Sequence, residues 1–129
     1  MSARVLVTGA AGFIGSHLCE ALVARGDHVT GVDNFDPFYP RAVKERNLEA
    51  LRGHARFRLC EADVRRDALP LAGADAVIHL AAMAGVRPSL EDPARYMDVN
   101  ATGTAHVLDA AARAGVRRVV LASSSSVYG

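Results

Sequence analysis

The sequence has few cysteines, no excess of charge of one sign and no long apolar run, and each absence excludes a class of protein. Its 15 Lys and Arg are scattered and stand against 14 Asp and Glu, so it lacks the concentrated cationic surface that nucleic acids require. The two cysteines, Cys19 and Cys60, lie far apart without a CxxC spacing. They are interpreted as reduced, packed thiols of a cytosolic protein, with a disulfide or a metal site as the less favoured alternative.

The chain is predicted to be one cytoplasmic domain with no membrane partner. Its first apolar run covers only residues 5–7, which is too short for a signal peptide or a membrane span. Hydrophobic residues make up 50% of the chain and charged residues 22%, a balance that allows a buried core. The 129 residues suit a single domain over 1–129, and no repeat or low-complexity linker divides it.

Short apolar runs alternate with longer stretches of helical period, which is typical of βαβ units and a parallel sheet. Strands are predicted at about 5–7, 28–32, 56–60, 76–80 and 119–121, and helices at about 13–25, 41–51 and 94–114. The predicted fold class is α/β, a Rossmann-like doubly wound parallel sheet of about five strands in the order 3-2-1-4-5. Ligands of such sheets bind at the carboxyl ends of the strands, where the order reverses.

The helical periods also predict which side chains are buried. The first helix is expected to bury Ile14, Leu18, Ala21 and Leu22 and to end at Gly26, and the second to carry Val43, Leu48 and Leu51 toward the core. Asp92 is expected to cap the third helix, with proline at its first position. This helix contains Thr102, Gly103 and Thr104, which lower helix propensity, so their face is expected to pack closely on a neighbour.

A glycine-rich segment directly follows the first strand and opens the first helix. Gly12 and Gly15 occupy the last two positions of the dinucleotide fingerprint, and Gly9 is displaced by one. Glycine allows a tight turn, bare N–H groups can approach a pyrophosphate, and a helix N-terminus contributes about half a positive charge. The residues predicted to bind the cofactor here are Gly9, Ala11, Gly12, Phe13, Ile14 and Gly15. Glycines alone also simply form turns, so the context has to support this interpretation.

Asp33 supplies that context, because it ends the second predicted strand. A carboxylate there accepts hydrogen bonds from ribose hydroxyls. It also repels a 2′-phosphate, and the neighbouring Asn34 offers no cation to accommodate one. These features favour NAD over NADP. An aspartate that merely ends a strand in a turn is the alternative, and it is disfavoured once the strand, the glycines and the carboxylate coincide.

These features resemble the extended short-chain dehydrogenases that act on nucleotide sugars. The resemblance rests on Thr8-Gly9-x-x-Gly12-x-x-Gly15, Asp33-Asn34, Asp63-Val64, His79-Leu80-Ala81-Ala82, Asn100 and residues 123–129. Within that family, residues 32–39 through Asn47-Leu48 and residues 84–89 resemble the UDP-glucuronate 4-epimerases. The resemblance covers the whole chain.

The resemblance implies roles for the matching residues. Asp63 and Val64 would contact the adenine of NAD, and Leu80, Ala81 and Ala82 would line the cofactor cleft. Asn100 would support the loop beside the nicotinamide end. Ser124 matches the family's Ser/Thr that hydrogen-bonds the sugar hydroxyl being oxidised. Arg87 is a candidate for binding a carboxylate or phosphate of a UDP-sugar, and an ordinary solvated arginine explains it equally well. Ser125 and Ser126 could meet the sugar carboxylate, with a polar loop that caps strand ends as the alternative.

The base of the family's chemistry is a tyrosine followed four residues later by a lysine, and this pair is not found here. Tyr39 and Tyr96 are followed at that spacing by valine and asparagine, and the sequence ends one residue after Tyr128. The resemblance places the missing pair, and the sugar-nucleotide domain, further along a longer chain. We therefore expect NAD binding without turnover by these residues alone. A stand-alone nucleotide-binding module and an interaction protein without cofactor are the alternatives.

The remaining polar residues are given structural roles. The histidines have no metal-ligand spacing, and His79 is expected to be packed and hydrogen-bonded. Arg65 and Arg66 are expected to be solvated flanks of buried segments. A homo-oligomer is expected because the fifth strand would be an open edge and the helix at 94–114 would expose Val107 and Leu108.

Overall fold

The computed structural model describes residues 1–129 and contains one five-stranded parallel sheet. The strands are β1 (Arg4–Thr8), β2 (His28–Asp33), β3 (Phe57–Glu61), β4 (Ala76–His79) and β5 (Arg118–Leu121), in the order β3-β2-β1-β4-β5. The predicted strand order is confirmed. In the sheet, Thr8 pairs with Val32 on one side and His79 on the other, so the polar ends of these strands meet at one edge.

The structure contains five α-helices. They are α1 (Phe13–Arg25), α2 (Arg41–Asn47), α3 (Val86–Glu91), α4 (Pro93–Met97) and α5 (Gly103–Arg113). α1 ends at Gly26, whose φ of 100° is the left-handed conformation that glycine readily adopts. α4 begins as predicted, because the Asp92 carboxylate accepts a hydrogen bond from the Arg95 N–H. No helix is long and apolar enough to cross a membrane.

The structure corrects two predicted helices and adds one. The helix predicted at 41–51 ends at Asn47, and a separate 3₁₀ turn, Glu49–Leu51, follows it. The helix predicted at 94–114 is divided by a π-helical turn, Asp98–Thr102, between α4 and α5. α3 was not predicted, because residues 84–89 were assigned to a loop. The expected close packing of Gly103 is present, since a Cβ there would lie 3.2 Å from Cγ2 of Val64.

Two apolar layers form the core, one on each face of the sheet. Between the sheet and the first two helices lie Val5, Val7, Ala10, Ala11, Cys19, Leu22, Val23, Val29, Phe35, Leu48 and Leu51. The opposite face is covered by α5 and the loop after β3, with Leu6, Val32, Ala62, Val64, Leu71, Val77, Val107 and Ala111 buried there. Burial raises the pKa of the Cys19 thiol to about 12, which keeps it protonated and unreactive.

The buried face of α1 agrees with the prediction at Leu22 and, in part, at Leu18, but not at Ile14 and Ala21. Ile14 is 69% exposed and Ala21 is also exposed, whereas Gly15, Ser16, Cys19, Leu22 and Val23 face the sheet. The physical reason is the contact of Gly15 with the loop before the helix, which sets the rotation of α1 about its axis. On α2 the predicted core residue Val43 is exposed, and Lys44 is buried in its place.

β5 is an edge strand, because β4 is its only partner in the sheet. The side chains of Val120 and Leu121 are 56% and 45% exposed. Val107, expected to be exposed on the last helix, is instead completely buried in the core, and only Leu108 of that pair is exposed. Among these apolar side chains, Val120 and Leu121 of β5 are therefore the most exposed.

Candidate functional site

A cleft opens at the carboxyl edge of the sheet, between the loops that follow the first four strands. It brings together nine of the residues predicted to bind the cofactor, namely Gly9, Gly12, Asp33, Asn34, Asp63, Val64, Leu80, Ala81 and Ala82. The other lining residues were not predicted to bind the cofactor. They are Val32, Asp36, Tyr39, Lys44, Ala62, Arg65, Met83 and Val99. The cleft lies where the strand order reverses, which is the ligand-binding position of doubly wound sheets.

The glycine loop is packed so closely that side chains cannot replace its hydrogens. Gly9 has a φ of +69°, and a Cβ there would lie 2.9 Å from the Ala81 nitrogen. A Cβ on Gly15 would lie 2.0 Å from the Gly9 carbonyl oxygen. The N–H of Gly12 donates to that same oxygen over 3.1 Å. The loop is therefore a tight turn whose backbone forms one wall of the cleft.

The N-terminus of α1 presents N–H groups that the helix itself does not use. The first helical hydrogen bond runs from Ser16 N–H to the Gly12 carbonyl, so the N–H groups of Phe13, Ile14 and Gly15 precede the helical pattern. Ala11 differs from the prediction, because its N–H donates to Oδ2 of Asp33 over 3.0 Å. The geometry thus offers three donors and the positive end of a helix to an anion.

Asp33 is held in place from three directions. Its Oδ1 accepts hydrogen bonds from the Phe35 N–H at 2.8 Å and from Nζ of Lys44 at 2.9 Å, and its Oδ2 accepts the Ala11 N–H. The side chains of Lys44 and Asp33 are only 10% and 5% exposed. These bonds fix the orientation of the carboxylate that ends β2.

Lys44 places a cation beside Asp33 that the adjacent Asn34 does not supply. The ion pair spans eleven residues and forms because α2 folds back onto the end of β2. The pair is neutral overall, so charge repulsion alone does not distinguish NAD from NADP here. Lys44 directly follows the exposed Val43 and precedes the buried Leu48 by four residues, about one helical turn. Nothing in the surrounding sequence indicates that this lysine is buried.

The loop after β3 carries a second ion-pair network. The Arg65 guanidinium hydrogen-bonds both carboxylate oxygens of Asp63 and lowers the pKa of Asp63 to about 2. Its other nitrogen reaches Asp98 of the π-helical turn at 2.9 Å. Arg65 is therefore not the solvated flank that the sequence predicted, with 18% of its side chain exposed against 64% for Arg66. Asp63 is an ionised acceptor in the cleft at neutral pH.

Asn100 lies in the π-helical turn and holds the loop after β4. Its Oδ1 accepts the Met83 N–H at 2.8 Å, and its Nδ2 donates to the Met83 carbonyl at 3.0 Å. Asn100 does not itself line the cleft, but this double hydrogen bond positions Met83, which does. π-helical turns within helices occur frequently at functional sites.

The residues predicted to meet the sugar do not line this cleft. Oγ of Ser124 accepts the Ser126 N–H and caps a terminal 3₁₀ turn, Ser125–Tyr128, and all three serines are exposed. Arg87 is exposed on α3 and has no ion-pair partner. Their roles stay predictions. No group of three or more His, Cys, Asp or Glu side chains has the arrangement of a metal site.

Comparison with known proteins identifies the family. The profile of the NAD dependent epimerase/dehydratase family matches residues 5–129. The chain belongs to this family. Members similar to it include the UDP-glucuronate 4-epimerase of Thermodesulfobacterium geofontis, which is 42% identical over 95% of this chain. UDP-glucuronate 4-epimerase 3 of Arabidopsis thaliana is 42% identical over 97% of it.

The family resemblance extends to solved structures. The UDP-glucuronic acid 4-epimerase of Bacillus cereus, in complex with UDP-glucuronic acid and NAD, superposes with a TM-score of 0.89 and 39% identity over 98% of this chain. This chain spans 41% of that protein, and 40% and 30% of the two curated relatives. The match therefore concerns the Rossmann-type part of the family.

Proposed function

We propose that this chain is the NAD-binding portion of a nucleotide-sugar 4-epimerase of the UDP-glucuronate type. The observation that carries the proposal is the glycine loop, in which a Cβ on Gly15 would overlap the Gly9 carbonyl oxygen at 2.0 Å. Such a loop leaves bare backbone facing a cleft that ends at the buried Asp33. The B. cereus relative, described with NAD bound, supports the same assignment.

The residues of the cleft, together with the first turn of α1 beside it, fit NAD along its length. The N–H groups of Phe13, Ile14 and Gly15 would hold the pyrophosphate, and Asp33, fixed by Lys44, would accept the adenosine ribose hydroxyls. Asp63 and Val64 would meet the adenine, and Ala81, Ala82 and Met83 would form the wall toward the nicotinamide. NAD supplies reversible acceptance of a hydride when it is bound. The chain's own residues bind it, orient it and keep Asp63 ionised.

We propose a UDP-sugar as the substrate of the longer protein. Support comes from the relatives named UDP-glucuronate 4-epimerase and from the B. cereus complex with UDP-glucuronic acid. Ser124 would hydrogen-bond the sugar hydroxyl that is oxidised, while Arg87, Ser125 and Ser126 would meet its anionic groups. Epimerisation at C4 would then proceed by oxidation to a keto-sugar and reduction from the other face.

A nucleotide-binding module without turnover is the second candidate for these residues by themselves. It is favoured by the tyrosines, none of which is followed four residues later by a lysine. Tyr39 lines the cleft, the Tyr96 hydroxyl donates to the Ala84 carbonyl, and Tyr128 is 93% exposed beside the end of the described chain. An interaction module without cofactor is disfavoured, because the glycine loop and Asp33 retain the geometry of a nucleotide site.

Binding of NAD tests the proposed function directly. Isothermal titration calorimetry with NAD and with NADP is expected to show a saturable 1:1 complex with NAD and weaker binding of NADP. AMP, which lacks the pyrophosphate and nicotinamide, serves as the control ligand and is expected to bind more weakly than NAD. Absence of NAD binding at millimolar concentration would contradict the proposal.

The second expected result concerns turnover. Incubation of this chain with UDP-glucuronate and NAD is expected to give no UDP-galacturonate, because a positioned general base contributes roughly 10²- to 10⁴-fold and none is present. Chromatography of the nucleotide sugars, with a complete family member as the positive control, measures the product. Product above the enzyme-free reaction would show that another group in these residues acts as the base.

The third expected result concerns self-association, which the exposed strand edge favours. We propose that the chain forms a homodimer through β5, whose backbone has a free edge and whose Val120 and Leu121 are exposed. Light scattering at high concentration is expected to report a dimer, and Val120→Lys is expected to shift it toward monomer. Val43→Lys on α2, where the valine is 41% exposed, is the matched control and should leave the dimer intact. A monomer at all concentrations would contradict the proposal.

A further inference from the structure

A chain of hydrogen bonds crosses the molecule behind the cleft and passes through His79. Oγ1 of Thr8, at the end of β1, lies 2.6 Å from Nδ1 of His79, at the end of β4. Nε2 of the same ring lies 3.0 Å from Oγ1 of Thr104 on α5. Thr8 and His79 are both buried. The imidazole is thus a buried link between two strands and a helix.

The hydrogen-bond partners assign the protons of this network. The Leu80 N–H donates both to the Thr8 carbonyl oxygen at 3.3 Å and to Oγ1 of Thr8 at 3.0 Å. The same Oγ1 accepts the Ala81 N–H at 3.1 Å, so both of its acceptor positions face backbone N–H groups. Its own proton therefore points to Nδ1 of His79. Oγ1 of Thr104 donates its proton to the Asn100 carbonyl at 2.6 Å. Its oxygen therefore accepts the Nε2–H of His79. The ring is the neutral tautomer with its proton on Nε2.

The hydrogen-bond partners of His79 are in turn bonded to residues that form or position the wall of the cleft. Leu80 and Ala81 line the cleft and are held by Thr8. Asn100, held by Thr104, clamps the backbone of Met83 through both its N–H and its carbonyl. The imidazole links the Thr8 anchor of Leu80 and Ala81 to the Thr104–Asn100 anchor of Met83 through one side chain.

We propose that His79, as the neutral Nε2–H tautomer, is a positioning residue that fixes the 80–83 wall of the cofactor cleft and releases it when the ring is protonated. The part of this inference that concerns the cofactor rests on the proposed function. A second proton on Nδ1 would face the proton of the Thr8 hydroxyl, whose oxygen already accepts the Leu80 and Ala81 N–H groups. Protonation therefore breaks the hydrogen bond between His79 and β1 and separates the two anchors of residues 80–83.

The surroundings of His79 give the direction of the pH dependence. Thr8 on β1, Leu121 on β5 and Thr104 on α5 present no charge to the ring, and burial lowers its pKa. Because the folded-state pKa lies below the unfolded one, the unfolded chain takes up the proton first on acidification. The wall is held through the ordinary titration range of histidine and is released only as the pH falls through the lowered pKa of the folded ring.

Nuclear magnetic resonance of the unmodified chain tests the tautomer without any ligand. Long-range ¹H–¹⁵N spectra at pH 7.5 are expected to show an unprotonated Nδ1 and a protonated Nε2 for His79. On acidification, the amide signals of Ala81 and Met83 are expected to move with the same midpoint as the ring. An Nδ1–H tautomer, or amides that do not follow the ring, would overturn the proposal whether or not NAD binds.

Two isosteric variants test the consequence for binding. The variant His79→Asn keeps a hydrogen-bond acceptor near the position of Nδ1, and His79→Gln keeps a donor near the position of Nε2. Neither amide side chain titrates between pH 5 and 8. NAD affinity of the unmodified chain is expected to fall on the order of fivefold more than that of His79→Asn between pH 7.5 and a pH below the midpoint of the ring in the magnetic resonance titration. His79→Gln is expected to bind NAD more weakly than His79→Asn at pH 7.5. Equal pH dependence in all three proteins would refute the proposal, whereas no binding by any of them would refute the proposed function instead.

Discussion

Gly15→Ala is expected to abolish measurable NAD binding and to destabilise the chain by at least about 3 kcal/mol, the upper part of the range for overpacking. The new Cβ would lie 2.0 Å from the Gly9 carbonyl oxygen, 2.8 Å from its carbon and 3.0 Å from the Ala10 Cα. All three atoms are backbone, so no side-chain rotation relieves the overlap. α1 has to move away from the loop, and the N–H groups that face the cleft move with it. Urea unfolding and calorimetry with NAD measure the two effects.

Gly53→Ala is the matched control, because it adds the same methyl group outside the loop. Gly53 has a φ of +73° and open space around the added atom, so only backbone strain of about 1–2 kcal/mol is expected. NAD affinity should be unchanged. If Gly15→Ala loses no more stability than Gly53→Ala and still binds NAD, the close contact between Gly9 and Gly15 is not what shapes the cleft.

Asp33→Asn is expected to lower NAD affinity by about tenfold to a hundredfold, the free energy of one or two hydrogen bonds to a charged acceptor. It is also expected to narrow or reverse the preference over NADP. The substitution removes the charge that matches Lys44, whose Nζ lies 2.9 Å from Oδ1 of Asp33. The ammonium of Lys44 is then free to bind the 2′-phosphate of NADP. The amide oxygen of the substituted side chain can still accept hydrogen bonds from the backbone N–H groups. Calorimetry with both cofactors measures the change.

A double variant separates the loss of the carboxylate from the release of the lysine. Asp33→Asn combined with Lys44→Met removes both charges of a buried pair and is expected to be at least as stable as Asp33→Asn, which leaves one charge unpaired. It should bind NADP as weakly as it binds NAD. If the double variant gains NADP affinity as the single variant does, Lys44 is not the group that accommodates the phosphate.

Much of the cleft was predictable because its signals are local in the sequence. A strand, three glycines and a helix follow one another directly in residues 4–25, and Asp33 closes the next strand. Alternating apolar runs predicted the parallel sheet, since crossovers through helices place successive strands side by side. The burial of α1 was predicted wrongly at Ile14 and Ala21, because a 3.6-residue period shows that a helix has an apolar face but not how a tight contact at Gly15 rotates it.

The π-helical turn shows a second limit of the sequence pattern. Residues 94–114 have the composition of one helix with low helix propensity at Thr102 and Gly103. The sequence therefore predicted one continuous helix without the π-helical turn. Asn100, through its two hydrogen bonds to Met83, and Arg65, through Asp98, bind the turn to two other loops. These tertiary bonds accompany a widened turn that propensity alone does not indicate.

The sequence by itself determined the glycine loop and the carboxylate at the end of β2, because both depend on residues that are near neighbours along the chain, and the doubly wound pattern that they mark implied the sheet order. Only the tertiary structure decided which charged groups meet in the cleft and which side chains surround His79. Lys44 reaches Asp33 across 11 residues, Arg65 reaches Asp98 across 33, and Thr8 reaches His79 across 71. Hydrogen bonds over such separations depend on how strands and helices are packed together, and no local pattern of residue types records that packing.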